Sequence, residues 1–208
     1  MTADVATSHH HESADVVAGR QLLGVWLFIA GDAIILVSLL FTYLYLRGLN
    51  TLHQWMPKGV HGASTLSAWL IVAVVAASAW AMWSSDQATR AGRSAIPGAL
   101  LAGLLALAGV VLSAVAISDL PHRIAASTGA RVVAGSYASS LLAIDVSNLV
   151  HLALLIFLGL AVVARSRKGL ISQSSPTHVR LVRIFWVWVA FSVALAAIVT
   201  TVFVASPK

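Results

Sequence analysis

Residues 21–46 read QLLGVWLFIAGDAIILVSLLFTYLYL, a run of 26 positions whose only charged side chain is Asp32. About 20 consecutive apolar residues suffice for a helix to cross the hydrocarbon of a bilayer, so this stretch predicts a membrane span with length to spare for tilt or protrusion. Four more runs of the same kind follow, at about 64–83, 98–118, 137–164 and 181–205. None alternates polar and apolar residues over about ten positions, as the strands of a membrane barrel do. The fold class predicted is therefore all-α, a polytopic bundle of five transmembrane helices over 21–205, preceded by a polar tail over 1–20.

The composition agrees. Of 208 residues, 59% are hydrophobic and 10% charged, and the mean hydropathy is +0.91. A soluble domain carries about a quarter charged residues, and a chain this apolar would aggregate in water. Turn and breaker residues meet returning charge at Met56-Pro57-Lys58-Gly59, at Arg93 to Gly98, at Asp119-Leu120-Pro121 and at Ser174-Ser175-Pro176-Thr177, which are read as the boundaries between spans. The first 19 residues are polar, hold three acidic groups and have no apolar core, so no cleavable signal peptide is expected there.

The net charge of +6 and a pI near 10.5 raise the question of nucleic acid, but the 13 basic residues lie between or beside the apolar runs and read as orientation signals, so no nucleic-acid partner is expected. Eight fall on the side of the N-terminal tail, including Arg90, Arg93, Arg165, Arg167, Lys168, Arg180 and Arg183, against five on the other side. The positive-inside rule then predicts a cytoplasmic N-terminus and an outward C-terminus. Trp55, Trp69, Trp83 and Trp186 fall near span ends and are read as lipid-facing anchors. Small residues at helical spacing, Ala73, Ala77 and Ala81 on the second span and Ala102, Ala106, Gly109 and Ser113 on the third, are candidate helix contacts.

Ionisable residues at membrane depth are costly and mark candidate functional positions. The spans hold Asp32, Asp145 and His151, with Asn148 as a neutral companion. Asp32 should face the bundle, because lipid offers it no partner. Positions 145, 148 and 151 step by three and form a slanting polar stripe that Ser147 extends. Two readings of these four residues stand side by side: an interhelical hydrogen-bond cluster that fixes packing, or a lipid-sensing or proton-exchanging acid at Asp32.

No catalytic, cofactor-binding or metal-binding residues are assigned within the chain. There is no Cys, which excludes disulfides and thiolate-held metals. His151 is the only His within a span, so bis-His haem ligation is excluded there, and His53, His61, His122 and His178 fall in loops. The adjacent imidazoles of His9, His10 and His11 set no defined metal geometry and read as a solvated tail.

The segment Leu23 to Asp32, LGVWLFIAGD, followed by Phe41 to Arg47, FTYLYLR, resembles subunit III of haem-copper terminal oxidases, with Asp32 at the place of that family's buried Glu. Trp55-Met56-Pro57 is similar to the family's tryptophan-proline element, and His61-Gly62-Ala63-Ser64-Thr65 to the segment that follows it. Tyr137 to Gly159 resembles the penultimate helix, where two His commonly stand three residues apart; His151 is the second, and Asn148 replaces the first. Phe185-Trp186-Val187-Trp188-Val189 resembles the last helix, with the usual His and later Asp replaced by Val187 and Ala190. The resemblance extends over nearly the whole membrane portion, in the short five-helix form.

The resemblance implies an accessory subunit without redox centres in the bacterial plasma membrane. Its partners would be oxidase subunits I and II, with other respiratory complexes as further neighbours. Haem and copper would reside in those partners, and phospholipid would bind between helix groups. The complex would reduce oxygen to water and translocate protons, with cytochrome c or quinol as donor. Two other classes remain open on the residues alone: a small polytopic transporter or channel, in which Asp32, Asp145 and His151 line a path, and an accessory subunit of a nitric oxide reductase.

Overall fold

A computed structural model describes residues 13–50, 55–56, 62, 64–128 and 136–204. Among these, the regular structure is five helices: α1 (Ala14–Leu49), α2 (Thr65–Arg90), α3 (Ile96–Thr128), α4 (Ser136–Arg167) and α5 (Thr177–Val202). Each holds a segment long and apolar enough to cross a membrane. The chain is thus an all-helical protein with the character of an integral membrane protein. Lipid-style surfaces are evident in the ring of exposed apolar side chains, from Leu23, Leu27, Ile34 and Phe41 on α1 to Phe157 on α4 and Phe191 on α5.

The helices outrun the apolar runs that announced them. α1 begins at Ala14, within the stretch read as a tail, and α2 continues to Arg90, seven residues past the end expected from hydropathy. Asp119-Leu120-Pro121 does not end α3, which runs on to Thr128. A proline inside a helix removes one N–H from the ladder and crowds the carbonyl four residues back, but the helix continues past Pro121. Ala91 to Ala95 form the turn after α2, where Gly92 has a φ of +69°, and Pro176 precedes α5 as expected. Pro57, Lys58 and Gly59, and His9, His10, His11, His53 and His61, lie outside the described residues, as does the side chain of His122.

α5 is the central element and α1 the most peripheral: half of the apolar window of α5 is buried, against 11% for α1. α1 packs on α4 and α5 only; α2 packs on α3 and α5, and α4 also on α3 and α5. The close approach of α2 and α3 follows from small residues. Ala99, Ala102, Ala106, Gly109 and Ser113 are all buried along α3, so the stripe read on that helix is its contact face. At Gly98 the helices come so near that a Cβ would lie 2.8–2.9 Å from Ser85 Cβ, Cα and N. The stripe read on α2 is corrected. Ala73 and Ala77 face outward, whereas Ala81 is buried, on a face that runs through Val75, Ser78, Ala79, Met82, Ser85 and Asp86.

The tryptophans are also partly corrected. Trp69 and Trp83 are exposed, as anchors would be, but Trp55 and Trp186 are buried. Trp186 donates Nε1–H to Ser78 Oγ at 2.8 Å, and that hydroxyl donates to Ala102 O at 2.7 Å, which ties α5, α2 and α3 together in the apolar core. Trp55 packs edge-on against Tyr43 and Tyr137 and donates Nε1–H to Val204 O at 3.2 Å. Both rings have found acceptors inside the protein, and a ring whose N–H is satisfied there has no need of the headgroup zone.

Candidate functional site

Asp32 and His151 meet. His151 Nε2 lies 2.8 Å from Asp32 Oδ1, and His151 Nδ1 lies 2.7 Å from the carbonyl oxygen of Ser147 one turn earlier on α4. A third helix completes the group: Trp188 of α5 donates Nε1–H to Asp32 Oδ2 at 2.6 Å. Each of these three residues lies within two positions of its helix's midpoint, so the cluster sits at the middle of the bundle's thickness. There the carboxylate and the ring are only 11% and 16% exposed.

The partners fix the protonation pattern. A carbonyl oxygen only accepts, so His151 Nδ1 carries hydrogen and donates to Ser147 O. The Nε2 to Oδ1 contact then holds one proton, placed either on the ring as an imidazolium beside a carboxylate or on the acid beside a neutral ring. In both forms the pair is neutral overall, which is what makes two ionisable groups tolerable at membrane depth. The indole N–H of Trp188 occupies the second carboxyl oxygen, so both oxygens of Asp32 have a partner from a different helix. Chemically the arrangement is a hydrogen-bonded carboxyl–imidazole pair held by three helices.

Asp145 and Asn148 go elsewhere. Each step of three residues turns back about 60° around a helix, so Asp145 and His151 are about 120° apart on α4. That angle sends His151 toward α1 and α5, whereas Asp145 and Asn148 line a cavity between α2, α3, α4 and α5 together with Ser113 and Thr200. The stripe is thus split between two interfaces. Ser147 contributes its backbone carbonyl to the cluster.

Two features escaped the sequence reading. Trp188 was visible only as part of an aromatic segment, although its alternation with Trp186 carries the signal: residues two apart on a helix point about 200° apart, so one indole serves the α2 side and the other the α1 side. The second is Asp86, fully buried on α2, whose Oδ2 accepts from Arg183 Nη1 of α5 at 3.1 Å and from Arg90 Nε at 3.2 Å. Two of the cations counted as orientation signals are therefore also internal partners. Among the described residues, no three His, Asp or Glu side chains converge as a metal centre would need. No known protein family model matches the chain, and no curated protein does either.

Proposed function

We propose that this chain is an accessory, non-redox subunit of a respiratory haem-copper oxidase, of the subunit III kind, which steadies the catalytic subunit in the bacterial plasma membrane with its N-terminus in the cytoplasm. The observation that carries the reading is the convergence of Asp32, His151 and Trp188, each from one of three separate segments that resemble that family. Polar groups at membrane depth pair in any bundle, and what supports this reading is that the three helices that pair are the ones that carry the likeness. The apolar girdle, including Trp26, Ile34 and Ile35 of α1, offers a surface for lipid and for a larger membrane partner. Haem and copper belong, on this reading, to the partner subunits, and oxygen reduction is theirs.

The test is removal of the chain from its native membrane. The expected result is a fall in oxidase activity and in the yield of intact oxidase, restored by the wild-type chain and poorly by Asp32→Leu. Unchanged oxidase content and turnover in membranes that lack the chain would defeat the proposal.

A further inference from the structure

A polar cavity enters the bundle from the end where α2 and α4 begin and α3 and α5 finish. Its mouth is lined by Ser64, Ser67 and Asp119, and its floor by Asp145, Asn148 and Ser113. Outer and inner parts share Asp145, Thr200 and the α2 residues Ala68 and Ile71, so they are continuous. Asp145 lies nine residues into α4, about 14 Å along its axis.

Three polar side chains on the floor have no partner among the described residues. Asp145, Asn148 and Ser113 make no side-chain hydrogen bond to any described residue, and their polar atoms are open to the cavity rather than sealed against carbon. Thr200, by contrast, already donates to Ala196 O. Polar groups removed from bulk solvent are almost always hydrogen-bonded, to water where the protein offers nothing. The inner and outer parts have cavity volumes of about 40 and about 60 Å³, against roughly 10–15 Å³ needed to hold one water. Several waters fit, and they have donors and acceptors waiting.

We propose that this cavity is a water-filled inlet through which the Asp145 carboxyl exchanges a proton with the aqueous phase on that side of the membrane. Among the described residues no basic group faces the carboxyl: the lining they contribute from α2, α3, α4 and α5 is hydroxyl, amide and apolar, with Asp119 at the mouth as the other titratable side chain. Protons therefore reach Asp145 along water, and Asn148 and Ser113 order the innermost waters. The Asp32–His151 pair lies on another face of α4 and is not part of this lining. The inlet stands whether or not the chain belongs to an oxidase.

The chain has no native cysteine, so single thiols report on it directly. Ser67→Cys, Asn148→Cys and Asp145→Cys, placed one at a time in the full chain, are treated with a charged, membrane-impermeant methanethiosulfonate in sealed vesicles of each orientation. All three should react from the side that exposes the start of α4 and lose that labelling from the other side. Ser78→Cys, in the dry contact between α2, α3 and α5, should react from neither. Reaction at Ser67→Cys alone, or equal reaction at Ser78→Cys, would overturn the inlet. Proton exchange is read on the wild-type chain by infrared difference spectroscopy across a pH step. A carboxyl band that shifts in heavy water and is lost in Asp145→Asn supports the proposal; a titration spectrum that Asp145→Asn leaves unchanged contradicts it.

Discussion

Replacing Asp32 by Leu removes the two bonds that hold α1 to α4 and α5 at mid-depth, those to His151 at 2.8 Å and to Trp188 at 2.6 Å. Interhelical hydrogen bonds in membranes average about 0.6 kcal/mol with a maximum near 1.7, so two of them bound the loss between about 1 and 3 kcal/mol. The substitution also strands the Trp188 N–H and the His151 ring, which moves the expected value to about 2–3 kcal/mol. For a chain of this length about 2–4 °C accompany each kcal/mol, which gives a fall in Tm of roughly 4–12 °C. Asp32→Asn behaves differently. Its amide oxygen still accepts from Trp188, and its NH₂ donates to neutral His151 Nε2, because Nδ1–H remains committed to Ser147 O at 2.7 Å. Its loss is therefore under about 1 kcal/mol. The assay is thermal unfolding in a mild detergent, followed by circular dichroism and by thiol labelling of Leu36→Cys, a buried α1 position that reports release of that helix. A wild-type Tm for Asp32→Leu would refute the reasoning. So would a fall for Asp32→Asn as large as that for Leu, since charge and not bonding geometry would then be what counts.

Gly98→Ala sets a Cβ 2.8–2.9 Å from Ser85, including its backbone, so α2 and α3 must part; a loss of about 1–3 kcal/mol is expected in the same melt. Arg183→Ala leaves the buried Asp86 without its interhelical cation and should cost about 3 kcal/mol. Arg90→Ala, removing a side chain that is 45% exposed and only one turn away on α2, should cost under about 1 kcal/mol, and equal losses for the two would contradict the assignment. Ser78→Ala strands the Trp186 N–H and frees the Ala102 carbonyl, an expected loss of about 1–3 kcal/mol that Ser78→Thr should largely avoid.

The number, order and approximate limits of the spans were legible because the bilayer imposes a length and a polarity that no other solvent demands. What hydropathy misread were the places where helix and apolar run part company. Asp86 follows the last strongly apolar residues of α2 and so looked like loop, yet α2 continues and Arg183 from α5 makes its burial possible. Asp32 and His151 were legible as candidates, since ionisable residues are rare in the spans; the two meet directly, whereas Asp145 and Asn148, read into the same cluster, line another interface. Their proton role is a separate matter from that geometry. The contrast between Asp145 and His151 was implicit in the three-residue spacing, but which neighbour lies on each face depends on how five helices assemble, and that is set by packing. Trp55 and Trp186 show the same limit: position along a span gives a ring's depth, and only the neighbouring helix decides whether its N–H finds an acceptor inside.

The proposed role makes the chain one member of a larger respiratory assembly. Gentle-detergent purification from the native membrane, with the co-migrating subunits identified and the visible spectrum recorded, tests this most directly. The expected result is a complex containing a haem-bearing catalytic subunit, and loss of all haem absorption from this chain once its partners are stripped away. A solitary homo-oligomer without a haem-bearing partner, or a Soret band that stays with the isolated chain, would contradict it.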